Sequence, residues 1–356
     1  MMEVERSIPS IRAVDLFCGV GGLTHGLIRG GIDVAAGIDL DGACRLPYEA
    51  NNASRFVQAD IKDVTAEDIR DLLGDAPITL VAGCAPCQPF STYSRKGRAS
   101  RGGEDWELVA SFGRLVQEVR PHLVTMENVP SVEYHSVFRE FLASLAGYAV
   151  AWRTVECSSI GVPQTRKRLV LVASRLGDAA PSLEWSGESK QTVRSVISGL
   201  PPLSAGAGDP SDPMHLACRL SETNLRRIRA SRPGGSWRDW PEDLRAACHR
   251  KVTGDTYPSV YGRMEWDQPA PTITTQSFGY GNGRFGHPEQ DRAITLREAA
   301  MLQTFPRDYR FVDDGAPVRF ATLGRLIGNA VPVRLGERIA QAFREHVSES
   351  WIPHPI

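Results

Sequence analysis

The pattern of apolar and polar positions divides the chain in two. From residue 11 to about residue 175, short apolar runs alternate with segments of helical period. IRAVDLF (11–17) reads as a strand, a Gly-rich turn CGVGG follows, and LTHGLIRGG has helical spacing. VAAGIDLD is a second strand and DGACRLPYEANN a second helix, with FVQADI and ITLVAG as the third and fourth strands. LVASFGRLVQEV is helical in period, HLVTMENV returns to strand, and AVAWRTVECSSI and KRLVLVASR make two more. Strands alternating with helices predict an α/β fold with a parallel, doubly wound sheet of Rossmann-like type.

The pattern weakens after Arg175. Residues 176–290 are rich in Gly, Pro, Ser, Trp and Arg, and PPLSAGAGDPSDP reads as a linker or surface loop. LSETNLRRIRAS predicts a basic helix, LREAAMLQTF another, and VRLGERIAQAFREHV a closing amphipathic one. The expected organisation is a first domain over residues 1–190, an irregular inserted domain over 191–290, and a segment 291–356 returning to the first.

With 356 residues the chain can bury a large core. Its 42% hydrophobic and 23% charged content is that of a globular protein, and no apolar run approaches the roughly 18 residues of a membrane span. Seven scattered cysteines point to free thiols in a reducing, cytoplasmic setting. A net charge of -1 gives no reason to expect a nucleic-acid partner, but local charge does. Arg95, Lys96, Arg98 and Arg101 cluster, as do Arg166, Lys167 and Arg168; Arg219 to Lys251 holds nine Arg or Lys against four Asp or Glu. Such patches can track phosphates or be solvated loops.

The glycine loop DLFCGVGGLTHG lies between a strand and a helix, where glycines let the backbone approach a ligand. It has no P-loop Lys-Ser/Thr and does not match G-x-G-x-x-G. Asp39, twenty residues after Gly19, falls where a carboxylate meets a ribose, and Asp60 where an adenine could be read. Asp15 brings a carboxylate to the loop, which suits a cationic ligand such as S-adenosylmethionine better than a pyrophosphate. Phe17 offers it an aromatic face. Each of these acids could equally be a solvated strand-end group.

GCAPCQPFS (83–91) ends the fourth strand on two cysteines. No second pair supports zinc, and Pro89 with the Gly-rich continuation does not suit a redox pair opening a helix. Cys84 continues the strand alternation and reads as a structural cysteine. Cys87 lies past the strand end, at the edge where α/β proteins bind ligands, and reads as a nucleophile. Glu127 and Asn128 emerge at the same edge. An acid beside a thiol raises the thiol's pKa, so Glu127 makes sense as a proton donor to a substrate.

DLFCGVGG, PCQ, ENV, QTRKR and GNAVP, in that order from residue 15 to 332, resemble the DNA (cytosine-5) methyltransferases. The resemblance implies a Rossmann-like S-adenosylmethionine-dependent methyltransferase sheet with a smaller, irregular target-recognition domain inserted near the C-terminus. It implies that Cys87 attacks carbon 6 of a flipped-out cytosine and that Glu127 protonates ring nitrogen 3. Arg168 would contact the cytosine and Arg166 the backbone nearby. It assigns S-adenosylmethionine to the loop residues Asp15, Phe17, Gly19, Gly21, Gly22 and Leu23, and to Asp39, Leu40, Asp60 and Ile61. Pro86, Leu108, Asn329 and Val331 would close that pocket. Gln88, Ser91, Ser94, Arg95, Lys96, Gln164 and Thr272 would meet DNA, and the segment from Ser91 to about Asp105 would close over the base with Gly97, Gly102 and Gly103 as hinges.

Asp39 stands where a Glu is more usual, and Leu40 where an aromatic often stacks on adenine. Arginines of the insert would read guanine or hold phosphates, and His287 would be structural. No metal is implied. The implied partner is double-stranded DNA, in a bacterial restriction-modification or defence system with a cognate endonuclease, the protein acting as a monomer. A tRNA cytosine methyltransferase and a silent DNA-binding regulator are the competing readings.

Overall fold

The computed structural model describes residues 8–86, 98–185, 188–251 and 258–351, with only the backbone for 98–105. In chain order the elements are β1 (Ile11–Leu16), α1 (Gly22–Arg29), β2 (Asp33–Asp39), α2 (Arg45–Glu49), β3 (Arg55–Gln58), α3 (Ala66–Leu73), β4 (Ile78–Gly83), α4 (Arg98–Val119), β5 (Leu123–Asn128), α5 (Ser136–Ser144), β6 (Ala149–Glu156) and β7 (Lys167–Ser174). There follow α6 (Val193–Ile197), β8 (Gly208–Asp209), β9 (Asp212–Leu216), α7 (Glu222–Arg229), α8 (Leu296–Leu302), α9 (Phe320–Asn329) and α10 (Val333–Ser350). The chain forms two compact units: Met1–Glu156, Lys167–Gly187 and Val331–Ile356 make the first, Cys157–Arg166 and Glu188–Ala330 the second.

The first unit is built on a seven-stranded sheet of order β3-β2-β1-β4-β5-β7-β6. Six strands run in one direction and β7 runs antiparallel to its neighbours β5 and β6, so the sheet is mixed rather than wholly parallel. Residues 157–166 link β6 to β7, a span shorter than the dozen or so residues of a crossover to a parallel strand, so the two strands oppose each other. Apolar runs on β1, β4, β5 and β7 join Phe112 of α4 and Phe138 and Phe141 of α5 in one buried cluster. Each such side chain contributes about 1.5–3 kcal/mol when buried. The order reverses between β1 and β4, and at such a point the strand ends leave a crevice for a ligand.

Helix α1 packs against α10 at Gly26. A Cβ there would lie 2.3 Å from the Val333 carbonyl oxygen and 2.7 Å from the Gly336 Cα, so only glycine allows the approach. Gly102 and Gly103, expected as hinges, lie inside α4.

The second unit has little regular structure. Part of the segment expected as a loop closes into the β8–β9 hairpin, whose turn is set by Asp209 accepting from Ser211 N at 2.9 Å. A small apolar cluster gathers Ile228, Trp237, Trp240, Leu244, Tyr280 and Ala293. The fully buried Arg292 and Glu298 form a two-pronged pair at 2.7 Å, and Glu298 also completes a capping box with Thr295 at the start of α8. Arg297 holds Asp212 in the hairpin at 2.6 Å and 3.0 Å. These bonds place residues 291–330 within the second unit rather than in the returning segment, which begins at Val331. Residues 157–166 also belong to it, because Thr165 N donates to Ala270 O and Ala270 N to Pro163 O.

Candidate active site

The residues expected at a cofactor gather at the C-terminal ends of neighbouring strands. The turn after β1 needs left-handed backbone: Phe17 has φ 58°, Gly19 φ 52° and Gly21 φ 86°. Gly21 takes that conformation as the N-cap of α1, where a side chain would be strained. Phe17 adopts it with a side chain, and such strain, about 1–3 kcal/mol, is held where the surroundings fix it. Here Cys18 N donates to Ile38 O at 3.2 Å, and Phe17 packs on the sheet core. Gly22 and Leu23 are buried in the first turn of α1.

Asp39 joins two strand ends. Its Oδ2 accepts from Gly19 N and its Oδ1 from Asp41 N, both at 2.9 Å. Leu40, next to it, is 65% exposed, an apolar side chain open to a flat ring. Asp60 follows β3 and accepts from Lys62 N, with Ile61 buried behind it. Pro86 and Leu108 are half-buried, past β4 and on α4.

Asp15 is 1% exposed and accepts from Thr24 Oγ1 at 2.7 Å through Oδ2. Its Oδ1 is buried and meets no hydrogen-bond donor among the described residues. Burial pushes its carboxyl up to about 7, against the Thr24 hydrogen bond, and the Asp39 charge adds to the rise. Burial likewise drives the Cys18 thiol well above its ordinary value.

The acid of the site stands at the end of β5. Glu127 is 2% exposed and is held from both flanking strands. Arg168 Nε on β7 reaches its Oε1 at 2.8 Å, and Cys84 Sγ, just past β4, donates to its Oε2 at 2.7 Å. Asn128 donates from its side-chain amide to Ala85 O at 3.2 Å, pinning the turn that leads away from β4. The alternation that made Cys84 structural did not show its partner, because which thiol faces a carboxylate on the next strand depends on sheet order.

Cys87, Gln88, Ser91, Ser94, Arg95 and Lys96 lie outside the described residues, as does Gly97. In the second unit, two residues expected at the DNA or base are internal. Gln164 is fully buried; its amide donates to Leu302 O and Gln303 Oε1, and its oxygen accepts from Ile273 N, all at 2.8 Å. With both donors engaged and no exposure, it braces this unit instead of touching DNA. Arg166, 3% exposed, donates to the carbonyls of Ile273, Gly328 and Ala330, so the structure gives it a bracing role also. Thr272 is half-buried and Asn329 exposed at the end of α9, and Val331 is buried in the first unit.

A sheet with a glycine loop, acids at successive strand ends and an arginine-held glutamate defines a methyltransferase-like catalytic domain. The family model for C-5 cytosine-specific DNA methylase matches residues 11–345. The chain belongs to that family and is a DNA cytosine-5 methyltransferase. It is 51% identical to the Type II methylase M.HgiDII of Herpetosiphon aurantiacus over 338 residues, 93% of this chain and 94% of that protein. It is 29% identical to the Type II methyltransferase M1.HphI of Haemophilus parahaemolyticus, over 94% of this chain and 86% of that one. In fold it resembles an E. coli prophage-encoded protein described as a DNA modification methyltransferase, with a TM-score of 0.69 and 23% identity over 94% of this chain and 99% of that one. It also resembles Spodoptera frugiperda DNMT2, with a TM-score of 0.63 and 17% identity over 94% and 99%.

Proposed function

We propose that this protein methylates carbon 5 of a cytosine turned out of a specific double-stranded DNA sequence, as the modification enzyme of a bacterial restriction-modification system. The observation that carries the reading is Glu127, buried at the C-terminal end of β5 with Arg168 on one oxygen and Cys84 on the other. The 51% identical relative is a Type II methylase, which supports the modification role. A cognate endonuclease, a monomeric working form and a cytoplasmic setting belong to the same proposal.

S-adenosylmethionine fits the residues at the glycine loop. Asp15 Oδ1 is a buried acceptor without a donor among the described residues, Asp39 adds a second carboxylate, and exposed Leu40 offers apolar surface to an adenine. When bound, S-adenosylmethionine supplies a methyl group on a positively charged sulfur. Asp15, Phe17 and the Gly19–Leu23 turn would hold its cationic end, Asp39 its ribose, and Asp60 its base, with Pro86, Leu108 and Val331 closing the pocket.

Extracting the base from the duplex costs a few kcal/mol, met by contacts to the displaced base and its backbone. Gln88, Ser91, Ser94, Arg95, Lys96 and Thr272 would make those contacts. Cys87 adds to ring carbon 6 while Glu127 delivers a proton to nitrogen 3. Carbon 5 then becomes electron-rich enough to accept a methyl group. Arg168 pairs with one oxygen of the Glu127 carboxyl and holds the base. A base such as a water molecule takes the carbon 5 proton, the nitrogen 3 proton returns to Glu127, and Cys87 leaves as the ring is restored.

The test is bisulfite sequencing of DNA from cells without cytosine methylation that express this chain, beside a Cys87→Ser control. Unconverted cytosines in one short motif, absent from the control, are expected. Full conversion in both, with soluble protein that binds S-adenosylmethionine, would overturn the proposal in favour of an RNA substrate or a silent DNA binder.

A further inference from the structure

Glu127 has three rotatable side-chain bonds, so burial alone does not fix the plane of its carboxyl. Arg168 meets Oε1 as an ion pair without an aligned hydrogen bond, from β7 on one side of β5. One such contact leaves the group free to turn about its last bond. The second contact comes from β4, the strand on the other side, where Cys84 Sγ lies 2.7 Å from Oε2. The turn carrying Cys84 is itself fixed: Cys84 N donates to Leu16 O at 3.3 Å, and Asn128 holds Ala85 O. The thiol therefore approaches the carboxyl from a braced position.

We propose that Cys84 is a positioning residue for the methylation reaction, whose thiol locks the carboxyl plane of Glu127 opposite Arg168. The inference rests on Glu127 acting as the proton donor to the cytosine. With Arg168 on Oε1, the proton to be delivered resides on Oε2, the oxygen that Cys84 holds. A thiol suits that place because it donates to Oε2 of the ionised carboxylate and can still donate to a lone pair of Oε2 in the protonated acid, leaving the acid proton free to point at ring nitrogen 3. The contact thus persists on both sides of the proton transfer. A cysteine that only filled space would have no such consequence.

The experiment compares kcat and KM of the full chain for methyl transfer onto unmethylated DNA, in wild type, Cys84→Ala, Cys84→Ser and Glu127→Gln. Cys84→Ala is expected to lower kcat about tenfold, in line with one lost hydrogen bond to a charged group, with KM for S-adenosylmethionine unchanged. Cys84→Ser is expected to recover most of that loss, since its hydroxyl stays within hydrogen-bond range of Oε2. Should the alanine variant aggregate, Cys84→Val, which keeps the volume, takes its place. Full kcat in Cys84→Ala or Cys84→Val, or an equal loss in Cys84→Ser, with Glu127→Gln inactive, would overturn the role of Cys84 alone. Substantial activity in Glu127→Gln would instead overturn the assignment of the proton donor.

Discussion

In the first unit the interior of the sheet is largely apolar, and the acids Asp15, Asp39 and Glu127 stand at strand ends. In the second, the interior is tied by arginines. Arg292 grips Glu298, Arg297 grips Asp212, and Arg166 reaches three carbonyl oxygens. Arg263, 5% exposed, donates to the carbonyls of Ile228, Ser231, His287 and Gln290 and pairs with Asp291. A sheet satisfies its own carbonyls through its ladder, whereas a chain of short turns leaves them to side chains. The difference teaches that arginine in a segment without periodicity is structural currency as well as a mark of DNA binding.

The sharpest way to break the comparison is to remove one of those arginines. Arg292→Met should destabilise the protein by about 3–5 kcal/mol, because Glu298 is left as a buried, unpaired charge. The double variant Arg292→Met, Glu298→Leu should recover most of that loss. Urea unfolding checks both, and a single variant within about 1 kcal/mol of wild type would refute the account.

A second prediction concerns pH, where the units carry opposite signs. Burial holds Asp15 in the first unit near 7 against an ordinary 3.8, so its contribution to stability falls as pH rises from 3.8 to 7. Burial holds His287 in the second unit near 4 against an ordinary 6.5, so its contribution falls as pH drops from 6.5 to 4. These spans correspond to about 4 and about 3 kcal/mol. Relative to wild type, Asp15→Asn should gain stability with rising pH, and His287→Gln should gain it with falling pH. Chemical denaturation at pH 4, 5.5 and 7 measures both slopes, and slopes of the same sign would contradict the assignment.

The smallest effect tests whether the first unit tolerates change as an apolar core does. Gly26→Ala gains up to about 1 kcal/mol of helix propensity. The clash with backbone at 2.3 Å outweighs it, because two helices must part. A net loss of about 2 kcal/mol is expected, read from the thermal midpoint, with a raised KM for S-adenosylmethionine.

Much of the first unit was legible in sequence because its signals are local. The run IRAVDLF, the turn CGVGG and the following helix appear as read, and Glu127 and Asn128 do end a strand beside the end of β4. The direction of β7 was not legible, since KRLVLVAS reads the same whichever way it runs. The contact of Cys84 with Glu127 was not legible, because the two lie on different strands. In the second unit, the burial of Gln164 depends on Leu302 and Ile273, residues more than a hundred positions away. The placement of 291–330 depends likewise on bonds such as Arg297 with Asp212.

The close approach of α1 and α10 has a consequence for how the protein comes into being. Arg344 of α10 even reaches Gly30 O, across 314 positions of chain. On the ribosome, β1, the glycine turn and α1 emerge early, yet one wall of that helix is made last. A copy stopped before α10 would carry every strand of the sheet and an unseated glycine turn. A copy truncated before Val333 is therefore expected to lose methyl transfer, which an activity assay on the soluble truncation would check.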